Sequence, residues 1–213
     1  MNIVFLFYDG MTALDAVGPH EILYRLPNAR VTRVAPQRGL IHTDSGLILT
    51  AEHALSDISS ADILCIPGAG SATTLRQYPG VSEWLRKIHA TTTWTTSVCT
   101  GSLILGAAGI LTGIKATTHW AVIDRLQNWG AKPVPERVVE DGKIITAAGV
   151  SAGIDMALTL ASKIAGQNVA ETLQLGIEYD PAPPFDVGSP DKANPIILDA
   201  LKKRMTASFE SVE

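Results

Sequence analysis

The sequence predicts an α/β domain whose mostly parallel central sheet is covered by helices on both faces. Two observations lead to this fold class. Strand and helix signals alternate along the 213 residues, which is the pattern of a sheet built from strand–helix–strand units. The predicted strand over residues 62–67 carries an apolar run, residues 63–66, that is continuous rather than alternating, as in a strand that is buried on both faces within a parallel sheet.

The first half of the chain begins with a strand over residues 2–8 and a loop over 9–15 that ends at Asp15. Pro19 marks the first turn of a helix that runs to about Leu26, because proline is favoured near helix starts. Residues 40–52 predict a hairpin, since Asp44, Ser45 and Gly46 at their centre supply turn geometry. The other predicted elements of this half are strands over 29–35 and 62–67 and a helix over 81–89.

The second half begins with a β-branched and aromatic segment, residues 92–98, which predicts a buried strand. A small-residue helix follows and ends at Gly109. Residues 134–147 predict a hairpin that turns at Asp141 and Gly142, and Ser151 is predicted to cap a long helix that ends near Gly166. The remaining predicted elements are helices over 120–129 and 168–179, an irregular proline-rich stretch over 180–195 and an amphipathic helix over 196–208.

Composition excludes several classes of protein. A net charge of −4 with mixed signs gives no basic patch, so we expect no nucleic-acid partner. No apolar run approaches membrane-spanning length, so we expect no membrane partner. Two cysteines in unlike contexts make no disulfide framework, and the first strand begins directly without a leader segment, so a cytoplasmic location is expected. One domain over residues 1–190 is predicted, followed by a C-terminal segment, 191–213, whose helix packs on the body or on a partner subunit.

Cys99 is the most informative residue, because it lies where the strand over 92–98 turns sharply into the small-residue helix. Such a turn lifts a side chain out of the sheet, as in a nucleophile elbow. A helix N-terminus carries partial positive charge, which favours a thiolate. The alternative is a buried cysteine that acts as a small apolar residue. We interpret Cys65 in this second way, as a core residue, because it lies in mid-strand within the apolar run over residues 63–66.

Two further elements belong with Cys99 at the edge formed by the carboxyl ends of the strands, where ligands bind in open α/β sheets. Asp15 is either a helix cap or a carboxyl group that faces the thiol, in which case burial raises its pKa so that it can hold and donate a proton. Gly68, Ala69 and Gly70 follow a strand, where their N–H groups either stabilise a developing anion or only allow a tight turn.

His119 follows a short stretch, Thr117 and Thr118, that is predicted to lie on the same side of the sheet. It can serve Cys99 as a base, or it can be hydrogen-bonded and packed beside Trp120 in a structural role. None of the five histidines pairs with another histidine or a cysteine at metal-ligand spacing. We therefore expect no metal site.

The residues described above occur together in a known protein family. The chain resembles the DJ-1/PfpI superfamily from the first strand to Pro190, and within it the isonitrile hydratases. The resemblance implies a single flavodoxin-like domain of the class I glutamine amidotransferase type. The motifs that carry it are residues 14–19, 66–68, 97–102, 116–120, 153–155 and 178–185.

The resemblance implies that Cys99 is the nucleophile, that Asp15 is its acidic partner and that Thr100 orients the carboxyl group or a water. Gly68, Ala69 and His119 are then the residues that bind substrate or a developing anion. The loop after Pro67 departs from the usual Pro-Gly-Gly-Thr of the hydratases, and Ala69 tolerates a positive φ poorly. The resemblance also implies a homodimer, with the first helix and the proline-rich segment offering apolar surface near Cys99.

The implied activity is the hydration of small isonitriles to N-substituted formamides through a covalent thioimidate, without a cofactor. Three alternatives stay open: a cysteine-based redox or stress sensor, a glyoxalase or deglycase of the DJ-1 type, and a ligand-binding domain derived from an AraC-type regulator. Thr100 directly after the nucleophile counts against a protease, since peptidase-like branches often carry histidine there. AraC-type regulators carry a further DNA-binding domain, and we expect no room for one after the last helix.

Overall fold

A seven-stranded sheet forms the centre of the computed structural model, which describes residues 1–70 and 78–210. Its strand order is β10-β11-β7-β6-β1-β2-β5, and only the β10–β11 pair is antiparallel. The strands are β1 (Asn2–Leu6), β2 (Arg30–Ala35), β5 (His53–Ala54), β6 (Ile63–Ile66), β7 (Trp94–Val98), β10 (Val138–Asp141) and β11 (Ile144–Ala147). The predicted mostly parallel sheet is therefore confirmed.

Two smaller sheets accompany the central one. β3 (Gly39–His42) and β4 (Ile48–Ala51) form the predicted hairpin. β8 (Lys115–Ala116) pairs with β9 (Lys132–Pro133). His119 therefore follows a strand of a separate small sheet, not a strand of the central one.

The helices form two packed groups. In one, α1 (Ala13–Leu23) packs on α4 (Ala152–Ala165), and α4 packs on α5 (Gln167–Gly176). In the other, α2 (Val81–Thr91) packs on α3 (Gly101–Ala107), which packs on a 3-10 helix over Trp120–Trp129. The last helix, α6 (Pro195–Glu210), contacts that 3-10 helix. The predicted C-terminal segment thus contacts the body through α6, and its residues 211–213 lie outside the described residues.

The interior consists of the apolar central strands and the helix faces that cover them. Ile3, Phe5, Leu64 and Ile66 are buried almost completely. Cys65 lies in mid-strand among them, and burial raises the pKa of its thiol to about 12. The interpretation of Cys65 as a core residue is confirmed.

Three predicted elements differ from the structure in ways that matter for the site. Pro19 lies inside α1 rather than in its first turn, so Asp15 belongs to the first turn of that helix instead of the preceding loop. Ser151 makes no capping hydrogen bond through its side chain; its Oγ instead accepts one from Arg137 Nη2. The predicted continuous helix over 120–129 is a 3-10 helix with non-helical dihedrals at Val122.

Candidate active site

The site lies where three parallel strands end. The segment after β1 leads into α1 and Asp15, the segment after β6 supplies Gly68 and Ala69, and β7 ends directly before Cys99. A β-bridge between Met11 and Ala69 joins the first two segments. The sheet topology therefore brings Asp15, the glycine loop and Cys99 to one edge, as the sequence predicts.

Cys99 occupies a strained backbone conformation, with φ at +55° between β7 and α3. This region disfavours residues with a Cβ atom, so the surroundings must hold the nucleophile candidate in place. Its N–H donates to the carbonyls of Ala147 and Ala148, at 3.1 and 2.8 Å. Its carbonyl accepts a hydrogen bond from Thr118 Oγ1 at 2.8 Å. The predicted elbow geometry is present.

Asp15 is only 1% exposed, and it lies close enough to Cys99 for the carboxyl group and the thiol to shift each other's pKa. Oδ2 accepts the N–H of Gly68 at 2.9 Å. Oδ1 has no nitrogen or oxygen donor within the described part of the chain. Burial raises the pKa of this carboxyl from 3.8 to about 7, and the nearby Asp44 adds to the rise. Asp15 is thus able to exchange a proton near neutral pH.

The Cys99 thiol does not follow the expectation from the helix end. Burial, and then the charge of Asp15, raise the pKa of the thiol well above its ordinary value, although hydrogen bonds from Thr100 act in the opposite sense. The N-terminus of the seven-residue α3 does not compensate for the loss of water around a buried sulfur. The site therefore holds a neutral thiol beside an acidic group, rather than a preformed thiolate.

Thr100 is fixed by the backbone of Ala69. Its Oγ1 accepts the N–H of Ala69 and donates to the Ala69 carbonyl, both at 2.8 Å. The hydroxyl is also close enough to the Cys99 sulfur to lower the pKa of the thiol. Because a hydroxyl has one proton, it can bond either the carbonyl or the sulfur at a given moment.

The N–H groups of Gly68 and Ala69 are not free to bind an anion from outside the site, which is one of the two predicted roles of this loop. Both already donate within the site, to Asp15 and to Thr100 respectively. Their observed contacts thus hold the two side chains nearest the thiol. The positive φ angles of non-glycine residues in the described chain are at Asn28, Cys99 and Glu178, so Ala69 carries no such strain.

Gly68 is required by close packing. A Cβ atom there would lie 2.5 Å from Thr100 N, 2.6 Å from Thr100 Oγ1 and 2.9 Å from Asp15 Oδ2. We expect Gly68→Ala to displace both side chains, to lower turnover at least about 10-fold and to destabilise the fold by about 1–3 kcal/mol. Urea unfolding and steady-state kinetics measure the two effects.

The matched control is Gly70→Ala in the same loop, where the nearest atom to an added Cβ among residues 1–70 and 78–210 is Asp44 Oδ2, at 3.9 Å. This variant should keep both its stability and its activity. Equal losses in the two variants would mean that the loop backbone, and not the contact with Asp15 and Thr100, is responsible.

His119 is buried, and its Nδ1 accepts the N–H of Ala121 at 3.3 Å, at the start of the 3-10 helix. Burial lowers the pKa of its ring, so the imidazole is neutral. With Nδ1 used as an acceptor, the proton belongs on Nε2. His119 is therefore a hydrogen-bond donor, which disfavours the alternative of a base for Cys99.

Two residues near the site escaped the sequence prediction. The Tyr8 hydroxyl donates to the Pro67 carbonyl at 2.8 Å, and burial, followed by the charges of Asp15 and Cys99, raises the pKa of this phenol. Asp44, in the β3–β4 turn, accepts a hydrogen bond from Thr12 Oγ1 at 2.5 Å. Its turn residues gave a clear hairpin signal, but only the folded hairpin brings this carboxylate beside the segment that leads to Asp15.

Neither a metal cluster nor a membrane span emerges from the described residues. Within 1–70 and 78–210, no group of three or more His, Cys, Asp and Glu side chains is arranged to hold a metal ion. In the same ranges, no helix is long and apolar enough to cross a membrane. Both described cysteines are free thiols.

The chain is similar to two curated bacterial proteins. The chain is 41% identical over 210 residues to the isonitrile hydratase of Pseudomonas putida. The aligned region covers 99% of this chain and 92% of that protein. It is 32% identical over 174 residues to the HTH-type transcriptional regulator CdhR of Pseudomonas aeruginosa, covering 78% of this chain and 51% of the regulator.

The chain is also similar in fold to a solved structure. The ThiJ/PfpI family protein from Pseudomonas syringae superposes with a TM-score of 0.91 at 37% identity, over 97% of this chain and 89% of that one. The model of the DJ-1/PfpI family matches residues 1–163, which include Asp15, Gly68, Cys99 and His119. The chain therefore belongs to the DJ-1/PfpI family.

Proposed function

We propose that this protein is an isonitrile hydratase, a hydro-lyase that converts isonitriles into N-substituted formamides with Cys99 as its nucleophile. The observation that carries the proposal is the buried pair of Asp15 and Cys99, in which burial raises the pKa of the carboxyl to about 7. The 41% identity to the Pseudomonas putida isonitrile hydratase over 99% of the chain supports the same substrate class.

The first step adds the thiol across the terminal carbon of the isonitrile. Ionised Asp15 accepts the thiol proton as the sulfur attacks, so no free thiolate has to persist in the buried site. The same proton then passes from Asp15 to the former isonitrile carbon. The product is a thioimidate, R–N=CH–S–Cys99, in which one C–S bond and one C–H bond have formed and the S–H bond has broken.

The second step hydrolyses the thioimidate. Asp15, again ionised, takes a proton from water as the oxygen attacks the thioimidate carbon, and then passes this proton to the nitrogen. Collapse of the tetrahedral intermediate, R–NH–CH(OH)–S–Cys99, breaks the C–S bond, moves the hydroxyl proton to the sulfur and releases R–NH–CHO. When the Thr100 hydroxyl turns from the Ala69 carbonyl to the sulfur, it stabilises the negative charge that develops there. Neither step requires a metal or an organic cofactor.

Incubation with a simple alkyl isonitrile tests the proposal. We expect catalytic formation of the formamide and a Cys99 peptide that carries the mass of one isonitrile when the reaction is quenched early. Methylglyoxal, with lactate as the product measured, runs in parallel. Lactate without formamide would assign the site to the glyoxalase class instead, and turnover of neither compound would leave the redox and ligand-binding alternatives.

We further propose that the protein is a homodimer in the cytoplasm. One face of α1, the helix that bears Asp15, leaves Leu14 44%, Val17 38% and Tyr24 44% exposed. α6 leaves Ile196 79% and Ile197 58% exposed. These apolar faces suit a second copy of the chain and would bring its surface close to the site.

Light scattering at micromolar concentration should give twice the chain mass of 22.6 kDa. Val17→Lys places a charge on the α1 face and should yield a monomer. Leu175→Lys is the control, since that side chain is 80% exposed on α5, outside the proposed interface. A monomeric wild-type protein, or dissociation by the control alone, would contradict this interface.

A further inference from the structure

Two motifs in the chain take no part in the chemistry above: residues 153–155 at the start of α4, and residues 178–185 after α5. Asp155 and Tyr179, one from each motif, meet Arg137 in a polar cluster beside β10. Arg137 Nε donates to Asp155 Oδ2 at 2.6 Å, and the Tyr179 hydroxyl lies 3.2 and 3.3 Å from the two carboxylate oxygens. Arg137 Nη2 also donates to Ser151 Oγ at 3.2 Å.

The cluster is hydrogen-bonded to the turn whose backbone binds Cys99. The turn over residues 148–151 joins β11 to α4, and Arg137 binds it at both ends. The Arg137 carbonyl accepts the N–H of Ala148 at 2.9 Å, while its guanidinium binds Ser151. The Ala148 carbonyl in turn accepts the N–H of Cys99 at 2.8 Å. Two hydrogen bonds therefore connect Arg137 to the strained backbone of Cys99.

The same turn of α4 contacts the acidic side of the site. A Cβ atom at Gly153 would lie 3.0 Å from both Pro19 Cγ and Val98 Cγ2, so this glycine lets α4 approach α1 and β7 closely. A Cβ atom at Gly18 would lie 3.1 Å from Ile154 Cγ1. The first turn of α4 thus packs against the helix that bears Asp15 and against the residue before Cys99.

We infer that Arg137, Asp155 and Tyr179 are positioning residues, which hold the first turn of α4 so that Cys99 and Asp15 keep their relative placement. A strained φ at Cys99 persists only where the surroundings impose it. The cluster is suited to impose it, because a planar guanidinium binds the carboxylate and the serine in fixed directions. The inference rests on the proposed function for its kinetic readout alone.

Arg137 directly precedes β10, and β10 itself supplies a matched control. Lys163 and Glu140 form a second ion pair between α4 and β10, with Nζ and Oε2 2.7 Å apart. It joins α4 near its C-terminus, whereas Asp155 lies in the first turn. Both pairs are partly exposed, so loss of either should affect stability to a similar, small extent.

The test compares Asp155→Asn and Arg137→Gln with Glu140→Gln, all on a Cys65→Ala background so that Cys99 is the one thiol. We expect the first two to lower kcat about 10-fold with little change in KM, and Glu140→Gln to leave kcat unchanged. The rate of Cys99 alkylation by iodoacetamide is measured from pH 6 to 10. In the first two variants the resulting pH profile should change in its maximal rate or in its midpoint. Arg137→Lys should restore little of the loss, because an ammonium lacks the planar donor geometry.

Equal kcat and equal alkylation profiles in Asp155→Asn, Arg137→Gln and Glu140→Gln would overturn the inference, even if their thermal stabilities fell. Alkylation does not depend on the substrate. If the wild type hydrates no isonitrile, the proposed function fails, and the alkylation profiles still decide whether the cluster positions Cys99.

Discussion

Replacement of Cys99 by alanine should abolish isonitrile turnover, with a loss of roughly 10⁴-fold or more, the scale seen when a covalent nucleophile is removed. Two hydroxyl groups at the site are already engaged: Thr100 bonds the Ala69 backbone, and the Tyr8 hydroxyl bonds the Pro67 carbonyl. Formamide release under saturating isonitrile measures the loss. Circular dichroism should show an intact fold.

Cys65→Ala is the matched control, because it removes the other thiol of the chain. Cys65 is 3% exposed in mid-strand, and the groups that act on the pKa of its thiol are burial and Thr96, with no carboxyl group among them. It therefore lacks the proton acceptor that Asp15 provides for Cys99. We expect nearly full activity and a modest loss of core packing. Turnover in Cys99→Ala, or its loss in Cys65→Ala, would refute Cys99 as the nucleophile.

The backbone of Cys99 provides a second control. Because φ is +55° there, alanine keeps the Cβ strain while glycine removes it. Cys99→Gly should therefore unfold at a higher urea concentration than Cys99→Ala, although both are inactive. The reverse order would mean that the elbow is not strained in solution.

The sheet and the elbow were predictable because their signals are local. A β-branched strand before Cys99 and small residues after it define the turn, and the apolar run over 63–66 marks a central strand. Pro19 misled the prediction of α1, because proline favours a helix start but is tolerated in the interior when packing demands it. That error placed Asp15 in a loop, although its partner, Cys99, was identified.

The hydrogen bonds inside the site were not predictable. The sequence marks Gly68 and Ala69 as a turn with spare N–H groups, but only the folded chain assigns these donors to Asp15 and Thr100. Residues far apart in sequence, such as Asp44 and Asp15, meet through sheet topology. The thiol pKa depends on burial, which outweighs the helix end that the sequence displays.

Asp15→Asn should lower kcat at least about 100-fold, the usual scale for removal of a general acid–base group. The amide keeps the size and an acceptor for the Gly68 N–H, but it cannot take the thiol proton. In the wild type, kcat/KM should rise with pH around a midpoint near 7, where Asp15 ionises, and this midpoint should be missing from the variant. Full activity in Asp15→Asn together with inactivity in His119→Ala would transfer the role of base to the histidine.

The same substitution should stabilise the protein above neutral pH. Burial raises the pKa of Asp15 from 3.8 to about 7 in the folded chain, so the folded state binds more protons than the unfolded state between these values. Its free energy of unfolding therefore falls as pH rises through this window, by about 4 kcal/mol at most. Asp15→Asn has no such penalty, so its excess stability should be small at pH 4 and largest at pH 8. Urea unfolding at the two pH values measures the excess, and an equal difference at both would show that Asp15 is ionised at low cost and that the site is not arranged to hold its proton.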